Sequence, residues 1–237
     1  MKALILAAGR GRRMKGLTED RPKALLTVGG RPLLQHALEN LRSAGVTEVG
    51  IVTGYRAETL YWPEFSRRFH NPDWATTQMV YSLFRAQEWL PASDTVVCYS
   101  DIIFTSRTIE TLVEKTGDIV IANNVDWHDV WSKRFADPLV DAETFKRDSD
   151  GFLTEIGKRP TTLADVQGQY MGLIKITPKG WKQFDSFRDG ISMARFSQID
   201  MTSTLNELIQ RKCRISTADV REDWYEFDSE DDLIGYR

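Results

Sequence analysis

The chain of 237 residues is long enough for one large domain or two small ones, and its 41% hydrophobic, 27% charged composition is that of an ordinary soluble globular protein. A net charge of −3 argues against a nucleic-acid binder held by a broad basic surface, and no stretch approaches the ~18–20 apolar residues needed to cross a bilayer. Cys98 and Cys213 lack metal-ligand spacing and the apolar run over 3–8 is too short for a signal-peptide core, so reduced thiols and a cytoplasmic location are expected.

The first strand is expected at Ala3-Leu4-Ile5-Leu6-Ala7, a continuous apolar run of the kind a parallel strand covered on both faces requires. A glycine- and arginine-rich loop follows. Pro32 opens a helix to about residue 44, with Leu33, Leu34, Leu38 and Leu41 on one face and Gly45 as its stop. Further strands are expected at 48–53, 95–99 and 118–122, and helices at 57–69, 81–90 and 106–115. Residues 126–175 read as mixed strands and loops with a turn at Asp150-Gly151. Helical patterns return at 178–187 and 201–211, strands at about 213–219 and 224–228, and a short helix ends the chain. Strands alternating with helices imply an α/β fold, a Rossmann-like and mostly parallel sheet with helices on both faces. One domain over 1–237 is expected, with a small inserted substrate lobe over approximately 124–175.

Leu6-Ala7-Ala8-Gly9-Arg10-Gly11-Arg12-Arg13-Met14 places two glycines and three arginines just past the carboxyl end of the first strand, where open α/β sheets bind ligands. Glycines there let the backbone approach a phosphate, and arginine adds a charge-assisted fork that matches phosphate oxygens. Met14 stands where a dinucleotide fingerprint needs a third small residue, and no Gly-Lys-Ser/Thr occurs, so both of those phosphate loops fit poorly. Taken alone, Gly-x-Gly also reads as a tight turn with solvated arginines.

Arg21-Pro22-Lys23-Ala24-Leu25-Leu26 and Gly29-Gly30-Arg31-Pro32 follow in order. With these three elements the sequence resembles the sugar-phosphate nucleotidyltransferase superfamily, and so implies a sheet of the nucleotide-diphospho-sugar transferase type. The resemblance implies that the loop wraps an NTP, with Arg13 and Lys23 acting on its phosphates and Leu6, Ala8, Gly9 and Gly11 against the nucleotide.

Asp101 follows the expected strand over 95–99 and so falls at the ligand edge. In the superfamily an Asp at this place coordinates the metal. Trp224-Tyr225-Glu226-Phe227-Asp228, followed by Asp231-Asp232-Leu233, resembles the segment that carries the second metal carboxylate, which implies Asp228 as the partner. Mg²⁺ suits such a site, being a hard ion that takes one or two carboxylates plus phosphate oxygens. Either Asp alone also reads as a helix N-cap or a turn residue. A glycosyltransferase with Asp-x-Asp is disfavoured because position 103 is Ile.

The middle of the chain resembles non-sugar branches. Tyr81-Ser82-Leu83 is similar to the Asn-x-x-Tyr-Ser-Leu segment of bacterial phosphocholine cytidylyltransferases, with Gln78 near the position of the Asn, and this implies Gln78 and Ser82 on the nucleotide. The stretch from Trp131 to Leu139, then Asp141-Ala142-Glu143, resembles cytidylyltransferases that activate phosphoglutamine; phosphonate cytidylyltransferases are close relatives. Gly151-Phe152, Ile156-Gly157-Lys158, Tyr170-Met171-Gly172-Leu173 and Met201-Thr202-Ser203 fit the same branch.

Lys158 falls where sugar-nucleotidyltransferases carry an acceptor-binding lysine; it serves as a point charge on a phosphate or phosphonate, or is a solvated turn residue. Trp127, Trp131 and Arg134 shape a head-group pocket or pack the lobe, and an aromatic wall would suit an alkylammonium. Asp126 and Asp200 recognise an amine or cap turns. Tyr170 completes the expected substrate set of Lys158, Trp131, Arg134, Tyr170 and Asp200.

The expected reaction is in-line attack of an acceptor oxygen on the α-phosphorus of CTP with Mg²⁺, pyrophosphate leaving. The acceptor is a small phosphorylated or phosphonate compound, already ionised near pH 7 because a phosphomonoester's second pKa is ~6. Lys158 would hold the nucleophile. A monomer or homodimer with no nucleic-acid or membrane partner is expected. The alternatives are a sugar-1-phosphate nucleotidyltransferase using UTP, dTTP or GTP, and a catalytically silent nucleotide-sensing subunit of the same fold.

Overall fold

Strand β1 (Lys2–Ala7) is buried at every position, as its unbroken apolar run requires, and it sits inside a seven-stranded sheet. The computed structural model describes residues 1–235. The other strands are β2 (Glu48–Thr53), β3 (Arg67–His70), β4 (Thr95–Tyr99), β5 (Ile119–Asn124), β6 (Gln169–Ile176) and β7 (Ile215–Val220). Across the sheet they run β7-β5-β6-β4-β1-β2-β3. Only β6 is antiparallel to its neighbours; the remaining pairs are parallel. This is the mostly parallel α/β sheet that the alternation of strand and helix patterns implies.

Successive side chains of a strand point to opposite faces, and the two faces are covered by different helices. Ala3, Ile5 and Ala7 join the core under α1 (Leu33–Ser43), α3 (Ser106–Glu114) and α4 (Trp127–Arg134). Leu4 and Leu6 join the core under α2 (Met79–Phe84), α5 (Pro178–Asp189), α6 (Met193–Gln198) and α7 (Met201–Gln210). The leucine stripe of α1 is wholly buried, and Gly45 ends that helix at φ +82, a conformation that disfavours a side chain. Among the described residues no helix is long and apolar enough to cross a membrane.

Trp181 of α5 is 1% exposed and packs on Phe84, ring centroids 4.7 Å apart, and on Phe184. Trp181→Ala would leave a cavity that this layer cannot fill. It is expected to lower the unfolding free energy by about 3–5 kcal/mol, read from the urea midpoint at constant slope. A loss below about 1 kcal/mol would mean that the layer collapses onto the gap.

Three expected elements differ. The helix over 57–69 is absent: a single turn at Ala57–Leu60 precedes Pro63, which cannot continue a helix, and β3 instead pairs with the open edge of β2. The helix over 81–90 starts at Met79 and gives way after Phe84 to three-residue turns. Residues 169–175, expected in the lobe, belong to the antiparallel strand β6. The stretch outside the sheet is thus 125–168, which holds α4 and a hairpin pairing Phe145–Arg147 with Leu153–Ile156, turned at Gly151 with φ +81.

The last segment places the site. Tyr225–Glu226 pairs antiparallel with Ile102–Ile103, and the Phe227 N–H donates to the Asp101 carbonyl at 3.0 Å. This two-residue ribbon delivers Asp228 to the end of β4, after which α8 (Glu230–Gly235) begins.

Candidate functional site

The loop after β1 turns at Gly11, whose φ of +75 lies in the left-handed region. A Cβ at Gly11 would stand 2.9 Å from the Lys23 side chain, so glycine is required twice over, for the turn and for the close approach. The loop is anchored by Met14, which is buried with Leu26, Val28, Leu33, Ile103 and Phe227 in a small core of its own. That cluster ties the loop to the C-terminal ribbon.

Lys23 is 8% exposed, and its Nζ donates to Asp101 Oδ2 at 2.7 Å and to Asp228 Oδ1 at 3.0 Å. Arg13 Nη2 reaches the same Asp228 oxygen at 2.9 Å. Burial pulls the pKa of Lys23 down, but the charges of Asp101 and Asp228 outweigh it and leave the ammonium above its ordinary value. Glu226 lies beside them. Its burial, reinforced by Asp228 and then Asp101, pushes its carboxyl up to about 8.

A cleft of about 510 Å³ opens over this charge centre. Leu6, Ala8, Gly9, Gly11, Arg13, Lys23, Gln78 and Ser82, the residues expected on a nucleotide, all line it, as do Asp101 and Asp228. Arg12, Trp74, Thr77, Met79 and Tyr99 line it as well. Ser82 accepts from the buried Asn71 Nδ2 at 2.9 Å, and Asn71 also donates to Thr77 at 3.0 Å, so one asparagine fixes two hydroxyls of the cleft.

A second cavity of about 260 Å³ adjoins the first, and Met79, Tyr99 and Asp228 line both. Of the expected substrate set, Trp131, Tyr170 and Asp200 meet there, together with Asp141, Glu143, Thr202 and Glu226. Burial raises the carboxyl pKa of Glu143, opposed by its 3.3 Å hydrogen bond from Thr202. Burial also raises that of Asp141. Asp200 caps α7, accepting from the Ser203 N–H at 2.7 Å while it lines the cavity.

Lys158 and Arg134 are not brought to this cavity. Lys158 has a side chain 58% exposed and pairs through Nζ with Glu155 at 2.5 Å. Its backbone is fixed beside Thr144, whose N–H donates to Lys158 O at 2.7 Å. Arg134 pairs with Asp232 at 2.9 Å and lines a separate depression beyond Glu226. Trp127 is a core residue whose Nε1 donates to Val166 O at 3.2 Å, and Asp126 pairs with Arg221. Asp141 and Glu143 flank the buried Ala142, and that i, i+2 spacing of acids was the signal that could have found them.

The donor set suits a hard cation. Asp101 Oδ1 is buried with no hydrogen-bond partner, and its carboxylate and that of Asp228 converge on one ammonium. Among the described residues no group of three or more His, Cys, Asp or Glu side chains is arranged to hold a metal. An ion on Asp101 and Asp228 would therefore draw its remaining oxygens from a phosphate, as Mg²⁺ does.

Residues 3–152 match the family described as MobA-like NTP transferase domain. CTP:phosphoglutamine cytidylyltransferase of Campylobacter jejuni subsp. jejuni serotype O:2 is 30% identical to the chain over an alignment of 248 positions that covers 98% of each. Choline-phosphate cytidylyltransferase of Streptococcus pneumoniae is 33% identical over 119 residues, 49% of this chain and 52% of that one. The inositol-1-phosphate CTP transferase from T. maritima superposes with a TM-score of 0.80 over 98% of this chain and 90% of its own; at 20% identity the likeness is one of fold.

Proposed function

The chain belongs to the MobA-like NTP transferase family, and on that premise we propose that it transfers CMP from CTP, with Mg²⁺, to a small phosphorylated or phosphonate acceptor bearing a cationic group. The observation that carries this reading is the shared border of the two cavities at Met79, Tyr99 and Asp228. A nucleotide in the larger cleft and an acceptor in the smaller one would meet at the charge centre, as in-line transfer demands.

Gly9 and Gly11 bring backbone close to the triphosphate, and Arg13 and Lys23 exchange carboxylate partners for phosphate oxygens. Asp101 and Asp228 would hold Mg²⁺, which when bound neutralises the phosphate charge that develops as pyrophosphate leaves. The acceptor oxygen is ionised near neutrality, since the second pKa of such a phosphate is ~6, and needs no general base. Catalysis then rests on positioning and preorganised charge.

The acceptor class follows from uncompensated charge. Among the described residues no ion pair joins Asp141, Glu143 or Asp200 to a lysine or arginine, and Tyr99, Tyr170 and Trp131 supply aromatic walls. Acids and rings around a small cavity favour an ammonium over a sugar. The relatives named for phosphoglutamine and choline phosphate support a non-sugar acceptor.

Pyrophosphate release from CTP, UTP, GTP, ATP and dTTP against phosphocholine, 2-aminoethylphosphonate, phosphoglutamine and sugar 1-phosphates tests the reading. Turnover confined to CTP with an ammonium-bearing acceptor is the expected result. Turnover only with another NTP and a sugar 1-phosphate would overturn it. Glu143→Gln is expected to raise KM for the cationic acceptor about 10-fold with kcat within about 3-fold, since a charge-assisted contact is worth ~1.5–3 kcal/mol. An unchanged KM would remove Glu143 from the acceptor site.

A further inference from the structure

Tyr99 ends β4 two residues before Asp101, and it lines both cavities. Its ring stands edge-on to Tyr170, centroids 5.9 Å apart at 89°. Desolvation holds its phenol pKa well above the ordinary value, so the hydroxyl is neutral.

The ring has a specific seat. The β4–β6 pairing runs from Thr95↔Ile176 to Cys98↔Leu173, so the next position across from Tyr99 is Gly172. Gly172 has φ +74, and the β6–β5 register shifts between Tyr170 and Ile174. A Cβ at Gly172 would stand 2.8 Å from Tyr99 Cδ2 and 3.0 Å from Cγ. The ring therefore lies over a residue without a side chain, in a strand irregularity that only glycine accommodates without strain.

We propose that Tyr99, seated on Gly172, is the partition that sets acceptor position and keeps water from the α-phosphorus. This inference rests on the nucleotidyl-transfer reading given above. With the partition in place, the acceptor oxygen forms the new bond to the α-phosphorus while the α–β phosphoanhydride breaks and pyrophosphate leaves. Without it, the two cavities merge and water takes the acceptor's place. Its oxygen bonds to the α-phosphorus, the same anhydride breaks, and the released proton goes to solvent, giving CMP and pyrophosphate.

The test uses the full chain with CTP and Mg²⁺ alone, so the acceptor need not be known. CMP formation is followed by chromatography, and CTP binding by calorimetry with a non-hydrolysable α,β-methylene analogue. Tyr99→Ala is expected to form CMP at least 10-fold faster than the unsubstituted protein, with analogue affinity changed less than 3-fold. Tyr99→Phe keeps the ring and is expected to form CMP at least 10-fold more slowly than Tyr99→Ala. Gly172→Ala displaces the ring without removing it and is expected to hydrolyse CTP as Tyr99→Ala does, which also serves if Tyr99→Ala fails to fold. Analogue bound normally with no faster CMP formation in either variant overturns the partition alone. Failure of the unsubstituted protein to bind the analogue overturns the nucleotidyl-transfer reading, and the partition with it.

Discussion

Asp101→Asn is expected to slow pyrophosphate release by about 10²–10³ at saturating CTP and Mg²⁺, a loss of ~2.7–4 kcal/mol of transition-state stabilisation. The amide has the shape of the carboxylate, so the backbone bond from Phe227 N–H to Asp101 O that holds the ribbon is untouched. What disappears is a charge. Asp101 Oδ2 is 2.7 Å from Lys23 Nζ and Oδ1 has no partner, so one oxygen organises the lysine and the other is free for a cation. An amide can do the first only weakly and is a poor ligand for a hard ion. Mn²⁺ binding followed by electron paramagnetic resonance in the presence of CTP separates the two parts, and the variant is expected to bind Mn²⁺ at least 10-fold more weakly. Near-normal turnover would show that the metal lies elsewhere.

Lys23→Met is expected to have the larger effect, a fall in kcat/KM of about 10³ or more, because it removes a preorganised cation from the triphosphate. The same change strands Asp101 beside Asp228, which keeps only its pairing with the exposed Arg13. An unpaired acid in a partly buried site costs about 1–3 kcal/mol, so the metal-free variant should melt lower. Millimolar Mg²⁺ without nucleotide is expected to raise the variant's Tm, since the ion can then occupy the place of the ammonium. The unsubstituted protein, in which Lys23 fills that place, is expected to respond less. If Mg²⁺ shifts both proteins equally, Lys23 does not stand where the ion binds.

Which parts were legible depended on how many neighbours each residue needs to declare itself. β1, β2 and β4 are covered on both faces, so apolar runs alone mark them. β3 escapes the same reading because Arg67, Arg68 and His70 are exposed at the sheet edge, where nothing demands an apolar pattern. α4 carries Asp129, Lys133 and Arg134 among its eight residues, and it meets the core through two buried tryptophans and the partly buried Val130.

The nucleotide cleft was legible because its loop is contiguous and Lys23 follows it closely. The smaller cavity was legible only in part: Trp131, Tyr170 and Asp200 were expected to meet there, whereas Asp141, Glu143 and Glu226 come from segments that only the tertiary fold joins. Lys158 falls outside that cavity for a related reason: a motif fixes a position along the chain but not the direction of a flexible stem, and its Nζ pairs with Glu155.

The ribbon of Tyr225–Glu226 on Ile102–Ile103 makes the candidate site depend on a segment that follows every strand of the main sheet. All seven strands of the sheet lie within residues 2–220, so most of the core is built without the segment that brings Asp228. Asp101 waits for a carboxylate made 127 residues later, and the loop core around Met14 waits for Phe227. A chain cut after residue 220 would thus keep every strand of the sheet and lose Asp228, half of the proposed metal site.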